Sequence, residues 1–140
     1  MMRLVLAAII AVAALAAAAL IERHRRREPP TQPEWSSPAQ LDRTDFPRPN
    51  APWLVVVFSS ATCNTCAAVA AAAGRLASDA VAVVDVEVGA SPALHRRYRI
   101  DAVPITVVAD RDGVVRADFV GPVDASALAT AVARLQARPD

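Results

Sequence analysis

Cys63 and Cys66 are separated by two residues and are the only cysteines in the chain. They follow an apolar run at residues 54–58, which is long enough for a buried strand and too short for a helix. The stretch from Cys63 to residue 76 is rich in alanine and favours helix. A helix that opens on this C-x-x-C motif would place the first thiol beside free backbone N–H groups, which stabilise a thiolate. The second thiol could reach back to close a disulfide, so the pair is predicted to be redox-active.

The same pair of cysteines could instead bind a metal ion. A structural zinc site needs four ligands, and only His24 and His95 are available as histidine ligands to complete one. His24 belongs to a basic segment near the N-terminus, and His95 is expected on the surface of a helix among arginines. We therefore predict no metal site and no cofactor, because the disulfide is itself the redox centre. Delivery of copper(I) by Cys63 and Cys66 remains an alternative.

The charge and composition of the chain point away from nucleic acid. All 15 basic residues are arginine and the formal net charge is only +1, so no strong positive field is present. Aromatic residues make up 4% of the chain, which is too few for a base-stacking surface. We therefore expect protein partners, and the length of 140 residues fits one folded domain that acts as a monomer.

Residues 4–21 form an apolar stretch without a charged side chain. As a helix, this stretch would be about 27 Å long, close to the ~30 Å hydrocarbon core of a bilayer. We therefore predict a single-pass anchor in the cell membrane at residues 1–22. Two alternatives remain open: a signal peptide cleaved near the alanines at residues 16–19, and a buried helix of a soluble domain.

The charges that flank this stretch predict its orientation. Residues 23–27 hold four arginines and a histidine, whereas Arg3 is the only basic side chain on the other flank. By the positive-inside rule, the C-terminal part of the chain would lie in the cytoplasm. The extracytoplasmic side stays open as an alternative, because proteins with disulfides are found there.

Residues 23–49 are predicted to be a linker. Seven of the eleven prolines lie between residues 29 and 52, which argues against one regular helix and favours an extended, semi-rigid segment. Within the linker, residues 40–46 could form a short edge strand packed by Leu41 and Phe46, and the prolines that follow would end it.

The folded domain is predicted at residues 50–140. Four apolar runs predict its strands, at residues 54–58, 81–88, 105–109 and 114–120. Helices are expected from Cys63, over residues 93–98 and after Asp124. The last helix has an apolar stripe made of Leu128, Val132 and Leu135. This order predicts an α/β fold with a mixed central sheet and helices on both faces.

This order of elements and three short motifs resemble the thioredoxin family over residues 50–135. The first motif is the apolar strand with the C-x-x-C pair that follows it. The second, residues 98–106, looks like the family segment that holds a cis-proline, here Pro104 after Val103. The third, residues 112–121, looks like the final hairpin and the glycine before the last helix. The resemblance implies a thioredoxin-like fold.

The resemblance also implies a function and the residues that carry it. The chain would be a thiol–disulfide oxidoreductase whose partners are protein thiols and disulfides, including a redox partner that the sequence does not identify. Cys63 would be the nucleophile that attacks a substrate disulfide, and Cys66 would resolve the mixed disulfide. Val103 and Pro104 would line the groove for an extended substrate, with a cis bond between them. A trans proline at the start of a strand is the alternative.

One position departs from the family pattern. Thioredoxins carry a buried aspartate six residues before the first cysteine, where it moves the proton of the resolving cysteine, but this chain has Val57 there. Asp85, on the next predicted strand, is the candidate proton shuttle, or else it is only a solvated carboxylate at a strand edge. The departure speaks against general activity coupled to thioredoxin reductase and favours a specialised or slow redox partner. A redox-inactive interaction module on the same scaffold is a second class of function that stays open.

Overall fold

The computed structural model describes residues 36–138. Its elements are a 3-10 helix (Arg43–Asp45), β1 (Trp53–Ser59), α1 (Cys66–Gly74), β2 (Val81–Glu87), α2 (Pro92–Arg97), β3 (Ile105–Ala109), β4 (Val115–Val120) and α3 (Ala125–Gln136). The strands form one sheet in the order β2-β1-β3-β4. β2 is parallel to β1, whereas β3 pairs antiparallel with both β1 and β4. The predicted mixed sheet is confirmed.

The two faces of the sheet are covered by different helices, as predicted. β1 lies inside the sheet and is buried along almost its whole length, because both of its faces are covered. On one face, Val56 and Phe58 pack in a cluster with Leu94 of α2. On the other face, Val55 and Val57 pack in a cluster with residues of α1 and α3. The alternation of side chains along β1 therefore decides which residues lie under the C-x-x-C helix.

The helices on the Val55–Val57 face bury unlike side chains. α3 has the predicted stripe, with Leu128 and Val132 buried and Leu135 packed against them. α1 is built mainly of alanine, and Val69 is the largest side chain that it buries in this cluster. Leu128 of α3 therefore supplies the largest fully buried side chain on this face.

The helix that carries the C-x-x-C motif begins later than the sequence predicts. α1 starts at Cys66, not at Cys63, and Thr65 is its N-cap residue. The preceding residues form a hydrogen-bonded turn, in which the N–H of Cys63 donates to the carbonyl oxygen of Ser60 (3.1 Å). Cys63 therefore lies in the turn before the helix, and Cys66 occupies the first helical position.

Residues 40–46 belong to the folded domain, but they do not form the predicted edge strand. Gln40 makes one isolated antiparallel bridge with Val114, and the chain then turns into the 3-10 helix. The buried guanidinium of Arg43 donates hydrogen bonds to the carbonyl oxygens of Asp110 (2.7 Å) and Ala51 (3.0 Å). The Arg43 side chain therefore adds to the single bridge at Gln40 in holding this segment in place.

Leu41 and Phe46 are buried, as predicted, and their burial shows that the folded domain begins before residue 50. Both residues lie in the core cluster on the α2 face, where Phe46 stacks on Tyr98 with ring centroids 5.8 Å apart. The Tyr98 hydroxyl donates to the carboxylate of Asp45. Burial and this hydrogen bond raise the pKa of Tyr98 to about 12. The folded unit thus includes these residues and does not begin at residue 50, since the side chains before that point complete the core.

The turn predicted at residues 110–113 joins β3 to β4. Gly113 has a φ of +80°, and a Cβ atom there would lie 2.0 Å from the carbonyl oxygen of Leu41. The N–H of Leu41 donates to the carbonyl oxygen of Gly113 (2.8 Å). Only glycine meets both demands, because it tolerates positive φ and leaves room for the neighbouring chain.

His95 is buried, although the arginines around it suggested a surface position. Its Nε2 lies 2.8 Å from the carbonyl oxygen of Val86, so this nitrogen carries the proton and donates it. The ring meets Phe58 edge-on at a centroid distance of 5.5 Å. Helix periodicity explains the difference, because His95 faces the sheet while Arg96 and Arg97 face solvent.

The predicted membrane anchor at residues 4–21 lies outside the described residues, as does the linker up to residue 35. Within residues 36–138, no helix has the length and apolar character needed to cross a bilayer.

Candidate functional site

Cys63 and Cys66 form a disulfide with their Cα atoms 5.5 Å apart. Cys66 is only 2% exposed at the start of α1, whereas Cys63 is half-buried in the preceding turn. Cys63 is thus the sulfur that another protein can reach. The hydroxyl of Thr65 lies 3.7 Å from the Cys63 sulfur, close enough to support a thiolate there when the disulfide opens.

The bond between Val103 and Pro104 is cis, and it lies at the same edge of the sheet as the disulfide. β1 ends at Ser59, beside the start of β3 at Ile105, which pairs with Phe58. The chain from β1 to the cysteines and the chain from Pro104 into β3 therefore meet at this edge. Among the described residues, the backbone N–H and C=O of Val103 have no hydrogen-bond partner.

Two exposed valines stand at this edge. Val88 directly follows β2 and is 37% exposed, and Val120 ends β4 and is 43% exposed. In the described part of the chain, these are the large apolar residues with the greatest exposure. The N–H of Gly121, next to Val120, donates to the carbonyl oxygen of Pro104 (2.8 Å), which ties the end of β4 to the cis-proline. Val88 and Val120 therefore give this edge of the sheet an apolar rim.

Asp85, the predicted proton shuttle, is exposed and is bound to a residue that the sequence did not single out. It lies opposite Val57 in the pairing of β1 with β2. Its carboxylate accepts a hydrogen bond of 2.5 Å from the hydroxyl of Ser59, which is almost fully buried. Ser59 and Val57 are two residues apart and share one face of the sheet. The exposed carboxylate of Asp85 is therefore hydrogen-bonded to a buried side chain on the face of the sheet that holds Val57.

Glu87 is a second carboxylate that the sequence did not single out. It accepts hydrogen bonds from the N–H groups of Ala61 (3.1 Å) and Ala90 (2.8 Å). The backbone bonds from Gly89, Ala61 and Ala90 hold the pKa of Glu87 below its usual value. Ala61 lies two residues before Cys63, so Glu87 fixes the turn that presents the exposed sulfur. The sequence could not indicate this role of Glu87, because its hydrogen-bond partners are backbone groups and not recognisable side chains.

Replacing Glu87 with glutamine is expected to lower thermal stability at neutral pH and to remove part of its acid dependence. Because folding lowers the pKa of Glu87, the carboxylate stabilises the fold fully above its unfolded pKa of about 4.5. This stabilisation is lost as the pH falls through the lower pKa of the folded state. The gap in melting temperature between wild type and Glu87→Gln should therefore narrow on acidification.

Thermal unfolding measured from pH 7 to pH 3 checks this expectation. Asp79→Asn is the matched control, because its exposed carboxylate accepts no hydrogen bond from the described residues. A gap between wild type and Glu87→Gln that stays constant with pH would contradict the role of Glu87.

Within residues 36–138, no three or more histidine, cysteine, aspartate or glutamate side chains gather as a metal site would require. His95, the histidine considered above as a fourth-ligand candidate, bonds to the Val86 carbonyl oxygen.

No protein-family model and no curated protein sequence matches the chain. Solved structures do match it. A thioredoxin variant from Halobacterium salinarum is 23% identical, with 64% of this chain and 80% of that chain covered and a TM-score of 0.56. Chloroplastic thioredoxin z is 24% identical, with 62% of this chain and 80% of that chain covered and a TM-score of 0.55. Oxidized mitochondrial thioredoxin 3 from Saccharomyces cerevisiae is 23% identical, with 60% of this chain and 79% of that chain covered and a TM-score of 0.50. The chain therefore has a thioredoxin-like fold, as the resemblance implied.

Proposed function

We propose that this chain is a thiol–disulfide oxidoreductase that exchanges disulfides with protein substrates through Cys63 and Cys66. The observation that carries the proposal is the disulfide itself. It joins a reachable sulfur to a buried one at the same edge of the sheet as a cis-proline, on a thioredoxin-like fold. The cis-proline segment and the apolar rim at the same edge give a partner protein a surface on which to dock.

The proposed reaction moves two electrons from the protein to its substrate. The thiolate of Cys63 attacks one sulfur of the substrate disulfide, which forms a mixed disulfide and releases the other substrate sulfur as a thiolate. Cys66 then loses its proton and attacks the sulfur of Cys63, which releases the second substrate thiolate. The protein ends with the disulfide described above, and a partner dithiol must reduce it before the next cycle. Run in reverse, the same steps oxidise a substrate dithiol.

The unpaired backbone of Val103 suggests how a substrate would be held. An extended segment could pair with the N–H and C=O of this residue, as in the addition of a strand to a sheet edge. Val88 and Val120 would then contact apolar side chains that flank the substrate cysteine. Docking of this kind selects for extended, apolar segments rather than for one folded surface.

Replacing Asp85 with asparagine is expected to slow the resolution of the mixed disulfide. We propose that this carboxylate, joined to Ser59, accepts the proton that Cys66 must lose. Loss of a positioned base lowers a rate by about a hundredfold or more. Stopped-flow measurement of substrate release across pH 6–9 checks this, and the exposed Asp79→Asn serves as control. An unchanged pH profile in Asp85→Asn would mean that Asp85 is only a solvated carboxylate.

Insulin reduction and equilibration with glutathione test the proposed function directly. The wild type should precipitate insulin in the presence of dithiothreitol and should reach a defined dithiol–disulfide equilibrium with glutathione. Cys63→Ser, which keeps the fold but lacks the nucleophile, should do neither. If the wild type is as inactive as Cys63→Ser, the chain is a redox-inactive interaction module. A copper titration of the reduced protein addresses copper(I) delivery.

We further propose that residues 4–21 tether the domain to the cell membrane, with the domain on the cytoplasmic side. The uncharged apolar stretch and the arginines that follow it support this placement. A membrane-impermeant thiol reagent should label Cys63 only after cells are permeabilised. Labelling in intact cells would place the domain outside, and release of the protein from membranes by alkaline washing would contradict the tether.

A further inference from the structure

Thr106 carries a buried hydroxyl without a hydrogen-bond partner. The residue lies in β3 and has no exposed surface, and among the described residues nothing bonds to its Oγ1. An unpaired buried polar group of this kind destabilises the folded state, and such groups are rare enough in folded proteins to need an explanation. Valine, of the same shape, would fill the position without that cost.

The position of Thr106 in the sheet places it under the C-x-x-C helix. It lies directly opposite Val57 in the pairing of β1 with β3. Side chains alternate along a strand, so Thr106 shares a face with Val108, which packs in the cluster that contains Val57 and Val69 of α1. Thr106 is therefore on the α1 face, beside the residue that stands where thioredoxins have their buried aspartate.

Cys66 lies over the same part of the sheet. α1 joins β1 to the parallel strand β2, so it runs antiparallel to β1 and its first turn lies above the end of that strand. Cys66 is the first residue of α1 and is buried on the face that also holds Val69. The row that contains Val57 and Thr106 is close to the end of β1. The buried sulfur and the unpaired hydroxyl thus occupy the same end of one interface.

We propose that the Thr106 hydroxyl is the hydrogen-bond partner of the Cys66 sulfur in the reduced protein. In the disulfide, this sulfur is a weak acceptor and the hydroxyl has no partner, which is the state described here. After reduction, Cys66 becomes a thiol or thiolate, and a thiolate accepts a hydrogen bond strongly. Val57 can offer no such bond. The inference rests on the proposed function and assigns Thr106 a place in its chemistry.

The proposed bond has two consequences. In the resolving step, Cys66 attacks the sulfur of Cys63 as a thiolate, and the hydroxyl of Thr106 stabilises that thiolate before the new bond forms. Over the full cycle, Thr106 favours the dithiol, in which it is paired, over the disulfide, in which it is not. The hydroxyl therefore makes the protein a stronger oxidant than it would be with an apolar residue at this position.

Thr106→Val tests the proposal, with Thr106→Ser as the control that keeps the hydroxyl. Pairing a buried hydroxyl that is otherwise unpaired is worth about 1.4 kcal/mol, which corresponds to about tenfold in an equilibrium constant. The equilibrium of Thr106→Val with glutathione should therefore shift about tenfold toward the disulfide form. Thr106→Ser should stay much closer to the wild type. Thr106→Ala is a second variant without the hydroxyl, in case valine disturbs packing.

Unfolding of the oxidised and chemically reduced proteins gives a second readout that needs no exchange activity. Thr106→Val should be more stable than the wild type when oxidised, and should lose that advantage when reduced. Equal gains in both states, with an unchanged glutathione equilibrium, would overturn the proposal and leave Thr106 as a packing residue. Failure of the wild type to exchange with glutathione would refute the proposed function instead, while the unfolding comparison still decides the role of Thr106.

Discussion

Cys66→Ser is expected to accumulate as mixed disulfides with partner proteins, each joined through Cys63. The half-buried sulfur of Cys63 can still be reached and can attack a substrate disulfide. Serine at position 66 cannot release the captured protein, because a hydroxyl is not ionised at neutral pH as a thiol can be. The wild type should hold no more than traces of such adducts, since Cys66 resolves them. Non-reducing electrophoresis of cell extracts, followed by mass spectrometry of the shifted bands, measures the result.

The double variant Cys63→Ser/Cys66→Ser is the matched control for trapping. It should give no adducts, and adducts that persist in it would come from other contacts. Cys63→Ser with Cys66 intact should also give almost none, because the remaining sulfur is 2% exposed. If Cys66→Ser captured no more protein than the double variant, Cys63 would not act as the attacking nucleophile.

Phe58→Ala is expected to cost about 3–5 kcal/mol of the free energy of unfolding, the range for large core aromatics. Phe58 has no exposed surface in β1, and its ring meets His95 edge-on and Tyr98 at a tilt. Since domains are typically stable by about 5–15 kcal/mol, the variant would lose much of its stability. Urea unfolding monitored by circular dichroism measures the difference.

Phe119→Ala is the matched control for this substitution. Phe119 lies in β4 and is only half-buried, so its removal leaves a smaller void and should cost clearly less than the loss of Phe58. Equal losses for the two variants would contradict the expectation that the cost follows the burial of the ring.

The apolar and β-branched runs of the sequence were enough to predict the sheet. Residues 54–58 fall inside β1, which is buried from both sides, and residues 105–109 coincide with β3. The stripe of α3 and the turn that Gly113 completes were also predicted correctly. These features depend on local periodicity and turn chemistry, which are determined by residues close together in the sequence.

Features that depend on distant partners were predicted less well. The start of α1 was placed three residues early, because alanine content does not show that Cys63 is held in a turn. Residues 40–46 were expected to be a strand, but Arg43 binds carbonyl groups that lie far from it in the sequence. His95 was placed on the surface, although its face of α2 is covered by the sheet.

The residues of the candidate site also differ in whether the sequence could predict them. Cys63, Cys66 and Pro104 were found from motifs, and the structure brings them to one edge of the sheet. The partners Ser59 and Thr106 could not be found, since their relation to the site depends on strand register. One residue of slip would turn either side chain to the opposite face, and the sequence does not fix the register to that precision.

The Arg43 contacts have a practical consequence for anyone who produces the folded domain alone. A shortened polypeptide that starts at residue 50 would lack Leu41, Arg43 and Phe46. This would leave a cavity beside Tyr98 and would deprive the carbonyl oxygens of Asp110 and Ala51 of their hydrogen bonds from Arg43. Such a fragment should be prone to aggregation, whereas one that starts at residue 36 keeps the side chains that fill this part of the core.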